Sequence, residues 1–368
     1  MLKQLVQTES TADKGELAAA EILSDHFDRC AIDSTVTSWD RNRANITAQI
    51  ESSRQKNALL FGCHLDVVPP GKQTWKHPPF AGLETDGKIH GRGAADMKGG
   101  IAAIVTAITE IVNSSVKLSG DMVFIAAGGE ETDSCGAKRF ICDQGGLLPP
   151  LAGVVIPEPT DFEVVTAHRG LLWLKVITAG RTAHGSTPQL GINAIGSMRA
   201  FLNELVNYEI SCEAHELLGG CSMSVNTIEG GDAINVVPDR CTIGMDIRTL
   251  PGQIHEDIIH DLQRIFADLK RKNPEFEGEV SIVRQVDALQ TDADSVFVRD
   301  FCSVVGSEQT KAVGFTTDGP YFAQLGAPVV IFGPGKSHLC HKPDECIDLT
   351  DVEKAVRHYK DIILRFLT

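Results

Sequence analysis

The sequence predicts an α/β domain interrupted by an inserted α+β domain of the ferredoxin-like kind, and three observations carry that expectation. Apolar runs of strand length at 57–63, 121–129 and 151–160 alternate with helical segments, as in sheets joined by crossover helices. From residue 171 the apolar runs give way to alternating ones in the order β-α-β-β-α-β, which fill 171–286. Beyond 287 sheet-like segments return, so the first domain is read as discontinuous, 1–170 with 287–368. A chain of 368 residues exceeds the usual single-domain size, in keeping with that division.

Taken in order, residues 15–29 place Leu17, Ala20, Ile22, Leu23 and Phe27 at helical spacing, and 43–51 alternate like a half-exposed strand. The run 57–63 reads as a buried strand that delivers His64 and Asp66 at its carboxyl end, before the turn Pro69-Pro70-Gly71. Residues 75–80, WKHPPF, read as a rigid hydrophobic plug, and 86–93 as a tight turn with a short strand. A glycine-rich loop then surrounds Asp96 and Lys98, and Gly99-Gly100 let the next helix, to about Asn113, start at close quarters. The second buried strand ends in Gly128-Gly129-Glu130-Glu131-Thr132, and the third carries Glu158 between two prolines.

In the insertion, strands are expected at 171–181, 223–231, 241–249 and 278–286, with helices at 192–207 and 252–272. The return segment supplies a helix at 294–305, a strand at 311–314, the 314–326 loop-helix, a strand at 328–335 and a final helix at 350–366. His338 and His341 stand between the last two elements.

Hydrophobic residues make up 42% of the chain, ample for a core. A net charge of −15 argues against nucleic acid or an anionic membrane as partner. No apolar run is long enough to span a bilayer, and the first residues, charged throughout, lack a signal-peptide core. Ten scattered cysteines without a C-x-x-C pair read as free thiols in a reducing cytoplasm.

Histidines and carboxylates gathered at strand ends point to metal chemistry. Alternation turns His64 and Asp66 the same way, so Asp66 can hold the second ring nitrogen of a ligating His64. Nitrogen-plus-oxygen ligation suits zinc, cobalt or manganese. If Asp96 bridges two ions, His64 with Glu158 serves one and Glu131 with His341 the other, leaving Glu130 as general base. Cys63 and Cys340, adjacent to proposed ligands, point their side chains away.

The motifs HLDVVPPG (64–71), GRGAADMKGG (91–100), GEET (129–132), PEPT (157–160), TAHGSTPQLGINAI (182–195) and HKPDE (341–345) resemble the zinc-dependent acylase and carboxypeptidase family. Within it they are most similar to the group of acetylornithine deacetylase and succinyl-diaminopimelate desuccinylase. The resemblance implies a mixed-sheet, dizinc-peptidase-like catalytic domain with a ferredoxin-like lid and dimerisation domain. It places His64, bridging Asp96, Glu131, Glu158 and His341 at the family's metal positions, preferring His341 over His338. Asp66 falls where the family orients its first histidine, Glu130 where it places the general base. His184 matches an oxyanion donor that often serves the partner subunit, and Asn235 and Arg248 match holders of the substrate carboxylate. Gly128-Gly129 depart slightly from the family's usual residues before the glutamate pair.

The expected enzyme removes an acetyl or succinyl group from an amino acid nitrogen, using two divalent ions, zinc first with cobalt or manganese as alternatives. Its expected partners are a small N-acyl amino acid or short peptide and a second copy of the chain, with no nucleic acid and no membrane. A dipeptidase or glutamate-type carboxypeptidase is the alternative; a silent metal-dependent binding protein fits less well, because Glu130 is retained.

Overall fold

The strand Ala58–His64 is buried at every residue because it runs parallel to Met122–Ala127 on one side and Leu151–Ile156 on the other. That burial on both edges and both faces is what its uninterrupted apolar sequence anticipates. The computed structural model describes residues 1–40 and 42–368. It divides into two compact units, Met1–Ala167 with Gln290–Ala312 and Thr317–Thr368, and His168–Leu289 with Val313–Thr316. The division lies a few residues from the boundaries read at 171 and 286. The short piece Val313–Thr316 joins the second unit, where Arg169 N–H reaches the Val313 carbonyl at 3.4 Å.

In the first unit the sheet is mixed. Among the described residues its path runs Ser34–Trp39, Arg43–Ile50, Met122–Ala127, Ala58–His64, Leu151–Ile156, Val329–Ile331, Val165–His168 and Leu289–Gln290, with Lys311–Val313 beside Val165–His168. The central pairings are parallel, and Arg43–Ile50 joins antiparallel at one side. Helix Gly99–Val112, apolar nearly all round, packs against the amphipathic Leu349–Leu367. A side chain at Gly100 would collide with the Pro157 carbonyl, so only glycine allows this helix to start beside the Glu158 turn.

A small antiparallel sheet of Leu83–Thr85, Lys88–His90 and Cys346–Asp348 ties the 341–345 segment to the start of the glycine-rich loop. Among the elements with no counterpart in the sequence reading are helices Leu2–Gln7 and Cys135–Gln144 and strands Ser34–Trp39, Val165–His168 and Cys346–Asp348. Strand Ser34–Trp39 carries little apolar residue because it is half exposed at the sheet margin, and the Cys135–Gln144 helix buries only Gly136, Ala137 and Phe140.

The second unit is an antiparallel sheet in the order Ser222–Gly230, Arg240–Arg248, Leu171–Ala179, Glu277–Val286. Helices Ala194–Leu205 and His255–Lys272 cover one face through Met198, Phe201, Leu262 and Phe266, packed on Val176 and Ile243. This is the ferredoxin-like arrangement, in which the first strand lies between the third and the last. Helix His255–Lys272 opens with Glu256 and Asp257 and closes with Lys270, Arg271 and Lys272, charges that complement its dipole.

Candidate metal centre

His64 is the last residue of its strand, with its side chain 2% exposed. Its Nε2 lies 3.2 Å from Asp96 Oδ1 and 3.5 Å from Glu158 Oε1. On the other side of Asp96, Oδ2 lies 3.3 Å from His341 Nε2, which is 2.9 Å from Glu131 Oε1. The two oxygens of one carboxylate are thus divided between two histidines. Among the described residues, potential donor atoms fall within 4.8 Å of one another in the groups His64-Asp96-Glu158 and Asp96-Glu131-His341, which share Asp96. A third group joins His64 with Glu130 and Glu131. His338 is exposed in the turn Ser337–Leu339 and belongs to none of these groups, nor does any cysteine.

Backbone and buried acids hold these donors in place. The Asp66 carboxylate accepts the backbone N–H groups of Gly129 and Glu130 on Oδ1 and of Glu131 on Oδ2. His64 Nδ1 donates instead to the Asp66 main-chain carbonyl at 3.0 Å, with the carboxylate at 3.6 Å. The Asp66 carboxylate thus stands beside the same ring nitrogen, two residues past the end of the strand.

A second buried acid, Glu345, accepts N–H from Ala95 at 3.0 Å and Asp96 at 3.2 Å, and pairs with buried Arg92 at 2.5 Å. Trp75 of the proline-rich plug lies against the Arg92 guanidinium. Sequence reasoning passed over Arg92 and Glu345. Their signal was present, an arginine and an acid inside two of the motifs, but no spacing rule pairs residues so far apart. Within the site His341 has φ +63°, in the left-handed region, and the Asp96–Met97 peptide is cis.

The electrostatics fit divalent cations. Burial, and then the charge of Asp96, raise Glu131 and Glu158 above the usual carboxylate range. Against its own burial, hydrogen bonds from His341 and His64 hold Asp96 far below that range. Hydrogen bonds to Asp96 and then Glu131 push His341 up to about 10. Buried carboxylates gathered this closely require positive charge among them. With imidazole nitrogens in the same set, the donors suit borderline divalent ions, and the two groups sharing Asp96 are a candidate dinuclear site.

The second unit carries the remaining predicted residues. His184 is exposed, and its Nδ1 accepts the Ser186 backbone N–H at 3.1 Å, which leaves the ring proton on Nε2. Asn235 is brought beside it: Gly185 N–H bonds the Asn235 carbonyl at 2.7 Å, and His184 bridges Val236. Arg248 is half-buried and pairs with Asp246 through Nε and Nη2 at 2.8 and 3.1 Å.

This combination of fold and site is that of a metal-dependent amidohydrolase. Residues 60–365 match the model of peptidase family M20/M25/M40, and the chain belongs to that family. It is 29% identical to the "Probable succinyl-diaminopimelate desuccinylase" of Staphylococcus epidermidis, covering 100% of this chain and 97% of that protein. It is 28% identical to the acetylornithine deacetylase of Proteus mirabilis, over 94% of this chain and 89% of the other. The fold is shared with an M20 metallo-carboxypeptidase of Sulfolobus solfataricus, at TM-score 0.81 and 19% identity over 99% and 98% of the two chains. A dinuclear metal-binding M20 peptidase of Bacillus subtilis aligns at TM-score 0.72 and 14% identity, over 99% and 96%.

Proposed function

We propose that this enzyme hydrolyses the amide of an N-acyl amino acid, releasing acetate or succinate and the free amino acid. The observation that carries the reading is the division of Asp96 between His64 and His341, with Glu130 next to the same donors. The full-length similarity to relatives named as a desuccinylase and a deacetylase supports an acyl amide over a peptide. His64, Asp96 and Glu158 would hold one ion and Asp96, Glu131 and His341 the other, with zinc the native metal and cobalt or manganese able to replace it. Bound there, divalent ions supply Lewis acidity toward a carbonyl oxygen and make water more acidic.

Glu130 is 7% exposed and adjoins the ligands while remaining outside the two groups that share Asp96. It takes the proton of the attacking water and delivers it to the leaving nitrogen. Asp66 fixes the backbone on which Glu130 stands. His184, with its proton on Nε2, donates to the oxyanion as the carbonyl becomes tetrahedral. Asn235 and Arg248 hold the substrate carboxylate, for which a guanidinium is the natural bidentate partner. The chain forms a homodimer through the inserted unit: strand Ser222–Gly230 is an exposed sheet edge, and Ile195, Ile228 and Ile234 are exposed. It works in the cytoplasm, where ten unbridged cysteines are at home.

The test is a hydrolysis screen of N-succinyl and N-acetyl amino acids and dipeptides with zinc or cobalt added. Release of free amine from an N-acyl amino acid supports the reading. Turnover confined to dipeptides assigns a dipeptidase instead, and no turnover in any series refutes the proposal.

A further inference from the structure

Cys212 and Cys221 lie in the loop that joins helix Ala194–Leu205 to the edge strand Ser222–Gly230, Cys221 as its last residue and Cys212 midway along it, and their sulfurs are 2.8 Å apart. The loop is built to hold the two cysteines together. It doubles back at His215 and Gly219, which exchange both backbone hydrogen bonds, at 2.9 and 2.8 Å. His215 Nδ1 accepts the N–H groups of Leu217 and Leu218, and Arg169 donates to the carbonyls of Leu218 and Gly220. Cys221 donates its own backbone N–H to the Cys212 sulfur at 3.4 Å. Cys221 donates its S–H to the Cys212 sulfur, and burial, and then that hydrogen bond, push the Cys221 thiol up to about 11. Both cysteines are only partly buried, so a small thiol reagent has access to the pair.

We propose that Cys212 and Cys221 are a redox modification site, a thiol pair that closes reversibly to a disulfide across residues 212–221. A disulfide needs sulfurs about 2.05 Å apart, so closure asks for an approach of about 0.8 Å from the observed contact. The oxidant is a low-molecular-weight disulfide such as oxidised glutathione. Cys212, as thiolate, attacks one glutathione sulfur; the S–S bond breaks, and the departing glutathione takes up the Cys212 proton. Cys221 then gives up its proton and attacks the Cys212 sulfur of the mixed disulfide, and the second glutathione leaves as a thiol. Two protein thiols are oxidised and one glutathione disulfide is reduced to two thiols. The bond anchors the first residues of the exposed edge strand to the preceding loop.

The sequence makes the test direct, because no lysine or arginine lies between Arg199 and Arg240. Trypsin therefore releases both cysteines, and no other, in one peptide of residues 200–240. Folded wild-type protein is incubated with oxidised glutathione, alkylated without reduction, digested and weighed. The expected result is a 200–240 peptide without alkyl groups and about 2 Da lighter than the reduced form. Cleavage after Glu216 should leave two fragments joined until a reductant is added. In Cys212→Ser or Cys221→Ser the remaining thiol should carry glutathione or stay alkylatable, with no crosslink. A wild-type peptide that is doubly alkylated, or that carries two glutathiones without closing, overturns the proposal.

Discussion

The Asp66 carboxylate accepts the backbone N–H of Glu130 at 3.0 Å and takes the flanking N–H groups of Gly129 and Glu131 at 2.9 Å each. One buried acid thereby fixes the backbone of both the proposed base and the neighbouring proposed ligand, Glu131. In Asp66→Asn the side-chain amide presents a donor where the loop needs an acceptor. Turnover should fall about 10–100-fold, with weaker metal binding. An Asp66→Asn enzyme with wild-type kcat and metal affinity would remove this role.

Glu130→Ala should keep two equivalents of metal, read by atomic absorption, while kcat falls about 10²–10⁴-fold. The competing arrangement is the His64-Glu130-Glu131 donor group. Metal loss in Glu130→Ala as severe as in His64→Ala would make Glu130 a ligand and end its assignment as base.

Arg92 and Glu345 form a buried pair, and Glu345 also anchors the N–H groups of Ala95 and Asp96. Removing one partner strands a buried charge, so Glu345→Ala should cost about 3–5 kcal/mol in urea unfolding. Replacing both, as Arg92→Met with Glu345→Leu, should recover much of that stability. Activity should stay low in the double variant, since the backbone at Asp96 still lacks its acceptor. Full recovery of activity with stability would reduce the pair to a structural element.

His168 is fully buried with Nδ1 bonded to the Arg169 carbonyl at 2.8 Å, and burial lowers its pKa to about 4 from an ordinary 6.5. Because the folded pKa is lowered, the unfolded chain takes up the proton first as pH falls. The neutral ring's contribution is whole above pH about 6.5 and is lost toward pH 4, on the order of 3 kcal/mol. His168→Gln should show a shallower loss of stability across that window in denaturant melts. Parallel curves for the two proteins would contradict it.

His184 stands on a different unit from every proposed ligand. Mixing inactive His184→Ala with inactive Glu130→Ala protein under subunit exchange tests whether it serves the partner's site. Donation across the dimer restores one working site per hybrid, about half of wild-type activity per hybrid dimer. A mixture that exchanges subunits and stays inactive places the donor within its own chain.

The sequence by itself determined the buried strands at Ala58–His64, Met122–Ala127 and Leu151–Ile156, because strands covered on both faces must be apolar at every position. It also determined which residues stand at their carboxyl ends, and hence the candidates His64, Glu130, Glu131 and Glu158. The alternating strands and amphipathic helices of the inserted unit were legible for the same reason: one face meets a core and the other does not. Edge elements such as Ser34–Trp39 were not, since half-exposed residues leave no apolar signature. Only the tertiary structure decided that Asp66 grips the Gly129–Glu131 backbone, and that Glu345 reaches Arg92 and the Asp96 loop across the chain. Periodicity records which face of an element is buried. A hydrogen bond to a distant main-chain N–H depends on where two loops meet, and the residues that meet there carry no mark of each other in sequence.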